Sequence, residues 1–319
     1  MKQLHRNLLA LGVLAAGGLL RLPTEQAITA RFREKGLLSA PLDIGLKEQI
    51  GQNSSAIALA GLRTLVATFT HLQATEAFTK CEWLDVEKLM ETTVQLSPRG
   101  TYYWDMGAWH MAYNASSWYR IDSGLPPIRA KAEARRWIEK GRHFYERGIA
   151  NNPGNWELPA LLGQLLSDAR RDPDDKAAVE AFRKAVATGK APPHILRQRF
   201  FAEARAGADP AEMLAAVRAL LTSQGNRVPT LLCLRYTLEY QLHEPEDPVA
   251  LATEIFGSEE KALRNLGDYY VNNLLDRMPE RGVEAAIRLL EGRQGISPED
   301  SRSLIRQKEM ARDRLALDH

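Results

Sequence analysis

The sequence predicts an all-α protein built from paired helices, and three observations carry that prediction. Apolar residues recur at helical spacing along most of the chain beyond Ala56, and no run alternates as a half-buried strand would. Prolines punctuate the pattern. A residue before proline is pushed out of the α region, so Ser97-Pro98 and Asn152-Pro153 each end a helix. Finally, one spacing occurs three times: Val86, Met90 and Thr93; Gly141, Tyr145 and Gly148; Ala178, Phe182 and Ala185. The offsets downstream of the prolines also match. Trp104 follows Pro98 by six residues and Gly107-Ala108 by nine and ten, as Pro159 and Leu162-Gly163 follow Pro153.

At the N-terminus, Lys2, His5 and Arg6 precede an apolar run from Leu8 to Leu20, thirteen residues without a charge. A basic stretch followed by such a run has the anatomy of a secretory signal. The run is short for a span, which needs about 20 residues, but Arg21 can snorkel and extend it. Residues 1–22 are therefore expected to be a signal peptide or an N-terminal membrane anchor, which places the rest of the chain in the periplasm or on the periplasmic side of the inner membrane. Residues 23–55 read as a linker with a short helix near 25–35.

The helical array is expected over 56–292. Its first unit, 56–98, pairs an apolar helix (Leu59, Leu62, Leu65, Val66, Phe69) with a helix from Trp83 to Leu96. Arg63 and His71 interrupt the first of these, which argues against a second span. The second unit, 101–153, carries an expected insertion from Ser116 to about Ala130 that contains Pro126-Pro127. Connections of that length inside a compact array are uncommon and often functional. The third unit covers 155–190. Degenerate helix pairs follow over 194–292, with helices at 194–206, 210–223, 229–242, 248–256, 259–276 and 281–292. Ser297-Pro298-Glu299-Asp300 offers a capping oxygen and early acids, so a charged, solvent-facing closing helix is expected over 297–316.

The stretch from Gly141 to Leu166 joins two units: Gly141, Tyr145 and Gly148 end one helix, Asn152-Pro153 forms the turn, and Leu162-Gly163 with Leu166 begins the return. It resembles the joint between two tetratricopeptide repeats, whose pattern carries a Leu-Gly pair in the first helix and Ala-x3-Phe, then Pro, in and after the second. The resemblance covers about 56–190 and loosens beyond. The chain departs from the family where glycine and threonine replace alanine in second helices and Gly107-Ala108 replaces Leu-Gly. The resemblance implies a right-handed α-α superhelix that holds a protein or peptide in a concave groove; joined to the N-terminal address, the expectation is a scaffold in envelope assembly or secretion.

In the repeat register Trp104, Gly107, Ala108 and Met111 take the packing face. Tyr102, Asp105, Trp109, Ala112 and Tyr113 then fall on the neighbouring face, which in the resembling family lines the groove; Gln164 stands on the next first helix. These five polar and aromatic residues, Tyr102, Asp105, Trp109, Tyr113 and Gln164, are the candidate partner-binding set. The competing reading is that this helix is buried on both sides.

Little else points to chemistry. The seven histidines have no metal-ligand spacing, and His110 with Asn114 suits a structural role. Asp105 and His110 are five apart, about 140° around a helix, and cannot face each other as an acid–base pair. No serine elbow, phosphate loop or recognisable carboxylate pair occurs, so no catalytic residue, metal or cofactor is assigned. The alternatives are an envelope enzyme built near the 116–130 insertion, or a cytoplasmic repeat regulator. Cys81 and Cys233 are expected to be buried free thiols. Without residues 1–21, which hold Lys2, Arg6 and Arg21, 39 basic residues face 40 acidic ones. That balance gives no reason to expect a nucleic-acid partner. The helix from Arg129 to Ala150 is locally basic, with seven Lys or Arg against three Glu; it is a solvated face or a patch for anionic lipid or an acidic partner.

Overall fold

The computed structural model describes residues 55–317, apart from residue 276, and every regular element among them is helical. The expected signal or anchor over 1–22 and the short helix near 25–35 lie outside the described residues. The chain divides into two compact units, the first ending at Pro153 and the second beginning at Gly154.

In the first unit α1 (Ser55–Thr79) packs on α2 (Trp83–Leu96). A continuous rod follows, made of α3 (Thr101–Trp109), a π-helical turn (His110–Ala115) and α4 (Ser116–Ile121). It packs along α5 (Pro127–Asn151). Side chains also join the two pairs, and Trp83 of α2 meets Trp118 of the rod. His71 and Phe78 of α1 touch Tyr102 and His110 of the rod, while Glu87 and Glu91 of α2 pair with Lys140 and Arg147 of α5. Glycines set the spacing. A Cβ on Gly107 would strike the Phe144 ring, one on Gly148 would strike Trp104, and one on Gly141 would strike Ala112. Asn152 closes the unit by donating through Nδ2 to the carbonyls of Pro98 and Gly148, both at 3.0 Å.

The expected insertion resolves into helix. Residues 116–121 continue the rod, and Pro127 occupies the first turn of α5, where its missing N–H costs nothing. Only 122–126 form the connection, with Gly124 at φ +66° turning the chain. A second difference lies in α1. Its buried face is Arg63, Ala67, Ala74 and Ala77, whereas Leu62, Leu65, Phe69 and Leu72 are exposed. Small residues permit the close approach to α2, so they win that face over the larger ones.

The second unit runs α6 (Glu157–Ser167), α7 (Asp175–Ala187), α8 (Pro193–Arg205), α9 (Pro210–Leu221), α10 (Pro229–His243), α11 (Pro248–Phe256), α12 (Glu259–Asn272), α13 (Val283–Arg293) and α14 (Leu304–Leu317). Each helix packs on the next in sequence, and α10, α12 and α14 also touch in succession, as do α11 and α13. The starts are written in the sequence. Asp174, Asp209, Asp247 and Ser258 accept from free N–H groups of the first turn, and Pro193, Pro210, Pro229 and Pro248 open their helices. Phe182 of α7 packs into the space left by Gly163 of α6. One core runs from Phe200 to Ile305 and includes Val217, Leu231, Tyr236, Ala252, Leu266 and Ile287.

The closing helix differs from its expected form. It starts at Leu304, because its cap comes from another helix: Glu291 of α13 accepts from Ser303 Oγ at 2.9 Å and from the Leu304 N–H at 2.6 Å. Nor is its charge all solvated. Lys308 is buried, paired with Glu280 at 2.5 Å and placed over the Tyr270 ring at 3.9 Å. Of the two free cysteines, Cys233 is buried as expected. Cys81 is exposed, since it sits at φ +57° in the turn after α1.

Candidate functional site

The rod 101–121 presents its aromatic residues in two directions. Trp104, Gly107, Ala108 and Met111 are buried against neighbouring helices, as the repeat register requires. Trp104 is fixed further, donating through Nε1 to the Pro98 carbonyl at 2.9 Å. Across the helix, Tyr102 remains 57% and Trp109 42% exposed. These two are surface aromatics and not core.

A seam of rings supports them. His71 lies edge-on to Tyr102 at 5.5 Å and tilted against Tyr103 at 5.3 Å, while His110 sits 4.7 Å from Phe78 and 5.4 Å from Trp109. Such contacts hold aromatic side chains in place at low entropic cost to a later binding event. His110 opens the π-helical turn, and its Nδ1 is 3.1 Å from Asn114 Nδ2. Burial, aided by the nearby His71 imidazole, lowers the His110 pKa to about 4. Burial also lowers that of His71. Both rings are therefore neutral at pH 7, and the seam carries no positive charge of its own. π-Helical turns widen the helix locally and occur mostly at functional sites.

The other predicted residues divide. Asp105 accepts from the Tyr145 hydroxyl at 2.8 Å, which ties the rod to α5. Burial first, and the Asp105 charge second, hold the Tyr145 phenol well above its ordinary pKa. Asp105 is thus a positioning group. Tyr113 is half-buried within the π-helical turn. Ala112 is fully buried, facing Gly141. Gln164 belongs to α6 in the second unit and is half-buried there.

Three features go beyond the sequence reading, which named the apolar Leu62, Leu65 and Phe69 but not their exposure. Tyr103 and His71 complete the ring seam. The exposed Leu62, Leu65, Phe69 and Leu72 form a stripe on α1 at 3-4-3 spacing, which was the available signal. In the second unit a cleft of about 280 Å³ lies along α10 and α12, lined by Thr230, Cys233, Asn265, Asp268, Tyr269 and Asn272. Burial holds the Cys233 thiol well above its ordinary pKa, so it is no nucleophile at neutral pH. Among the described residues no three His, Cys, Asp or Glu side chains are grouped to hold a metal ion, and no helix is long and apolar enough to cross a membrane.

No protein-family model matches the chain, and no curated protein matches it either.

Proposed function

We propose that this chain is an exported helical-repeat scaffold of tetratricopeptide type that holds a protein or peptide partner. Its contact surface is centred on Tyr102 and Trp109, with residues 1–22 tethering it to the membrane or directing it to the periplasm. The observation that carries the reading is the exposure of those two aromatics on a helix otherwise packed on its other faces. Exposed aromatics held rigid by neighbouring rings are the anchors from which partner binding draws most of its energy. The exposed stripe on α1 adds apolar surface in the same unit. Contacts of α1 and α2 with the rod, and of α2 with α5, join the two helix pairs of the first unit as neighbouring repeats would be joined, which supports the superhelical reading. A role in envelope assembly or secretion follows from the N-terminal address.

The test compares capture and melting on the same preparations. Trp109→Ala and Tyr102→Ala are expected to lose the partner captured from crosslinked cells by the wild-type protein, with the melting temperature nearly unchanged. A large fall in melting temperature, or unaltered capture, would overturn the assignment. Export is tested separately: a reporter active only outside the cytoplasm, fused after His319, is expected to work, and activity of a cytoplasm-only reporter would remove the tether from the account.

A further inference from the structure

The turn between α4 and α5 is built unlike the rest of the first unit. At the tip of this helical hairpin Ile121 is 75% and Ile128 87% exposed, with Leu125 and the exposed Pro126-Pro127 between them. Aliphatic side chains are rarely left that open at the end of a hairpin, where nothing in the same unit covers them. The tip is held stiffly. Pro127 starts α5, Ser123 Oγ donates to the Tyr119 carbonyl at 2.6 Å, and Tyr119 stacks on Trp137 with planes 18° apart. Trp118, half-buried, stands edge-on to Tyr119 at 5.0 Å at the base of the tip.

Charge surrounds this apolar point. Between residues 118 and 136 five cations face two carboxylates. Arg120, Arg129, Lys131, Arg135 and Arg136 are all exposed, and the buried side of α5 here is Ala130, Ala134 and Trp137. The cations therefore lie around a protruding aliphatic tip, with amphipathic rings set behind it. A convex apolar point ringed by positive charge does not make a groove for a peptide. It matches a layered surface whose outside is anionic and whose inside is hydrocarbon.

We propose that this hairpin tip inserts into the interface of a bilayer containing anionic lipid, with Ile121, Leu125 and Ile128 entering the acyl boundary and the surrounding cations meeting lipid phosphates. Such a contact gives the chain a membrane footing independent of residues 1–22 and fixes which end of the first unit faces the lipid. It rests on the hairpin's own geometry and stands apart from the partner-groove reading.

The test uses the full chain with Cys81→Ser and Ile128→Cys, labelled at position 128 with an environment-sensitive dye; Cys233 is buried and protected. On vesicles of mixed phosphatidylglycerol and phosphatidylcholine the dye is expected to shift to the blue and to be quenched by lipids brominated in the acyl chain. On pure phosphatidylcholine the shift is expected to be small. Adding Arg129→Glu and Lys131→Glu is expected to weaken the anionic-vesicle response roughly 25-fold or more, since each cation near such a surface contributes about a fivefold factor. Because the dye reports at residue 128, anchoring by the N-terminal run alone leaves it in water. A dye that stays water-like on anionic vesicles that bind the protein would overturn the proposal, as would an equal response on neutral vesicles.

Discussion

Replacing Gly141 by alanine separates close packing from helix propensity. In an open helix interior the change stabilises by about 1 kcal/mol. At Gly141 the new methyl carbon would lie 2.5 Å from Ala112 Cβ and 2.8 Å from both the Ala108 carbonyl oxygen and the Ala112 nitrogen. Carbon atoms in contact rest about 3.5–4.0 Å apart, so α5 must back away from the rod by roughly 1 Å. Two of the three obstructing atoms belong to backbone and cannot rotate aside. The overpacking cost therefore falls at the upper end of its usual range, about 3 kcal/mol, and the net loss is about 2 kcal/mol. Gly292 in α13 is the control. A Cβ there meets nothing within 4 Å, so Gly292→Ala is expected to be neutral or stabilising by up to about 1 kcal/mol. Urea unfolding followed by tryptophan fluorescence reads the first case well, because five of the six tryptophans lie before Pro153, all but Trp156. Circular dichroism reads the second. A Gly141→Ala protein as stable as the wild type would refute the packing of α5 on the rod.

Three further outcomes are expected. His110 titrates at about 4 in the folded chain against an ordinary 6.5, so stability is lost as pH falls from 6.5 toward 4, by up to about 1.4 kcal/mol per pH unit; His110→Gln should flatten that fall in pH-dependent unfolding, and an unchanged acid slope would exonerate His110. Glu280→Ala removes a carboxylate that accepts twice from the buried Lys308 and should cost about 1–3 kcal/mol in chemical denaturation, with the Glu284 charge still close by; an unchanged stability would show that the pair contributes nothing net. A double-mutant cycle on Tyr145→Phe and Asp105→Ala should return a coupling of about 1–3 kcal/mol, and a coupling near zero would show that their hydrogen bond is not what fixes the rod against α5.

The parts of this molecule legible in its sequence are those governed by local rules. The residues at the thrice-repeated spacing, from Val86 to Ala185, are all buried. The starts of α8 to α12 fall within one residue of those expected, at 193, 210, 229, 248 and 259. What escaped was decided by tertiary partners. α1 is apolar on two sides, and the pattern through Leu62, Leu65 and Phe69 does not say which side packs; the close approach of α2 selects the alanines. Pro126-Pro127 looked like loop, but a proline in the first turn of a helix is no break. Ser297 looked like a cap until Glu291, from another helix, supplied one. At the candidate site the aromatics Tyr102 and Trp109 were found by register, whereas the engagement of Asp105 by Tyr145 depends on a contact 40 residues away that no local pattern contains.

The surface around Trp109 is the proposed partner site. A photo-crosslinking residue placed at position 109 in living cells examines that surface, with the exposed position 88 of α2 as the comparison. Position 109 is expected to yield a discrete, reproducible protein adduct, and position 88 none of that size. Absence of an adduct at 109, or the same adduct from both positions, would contradict that assignment.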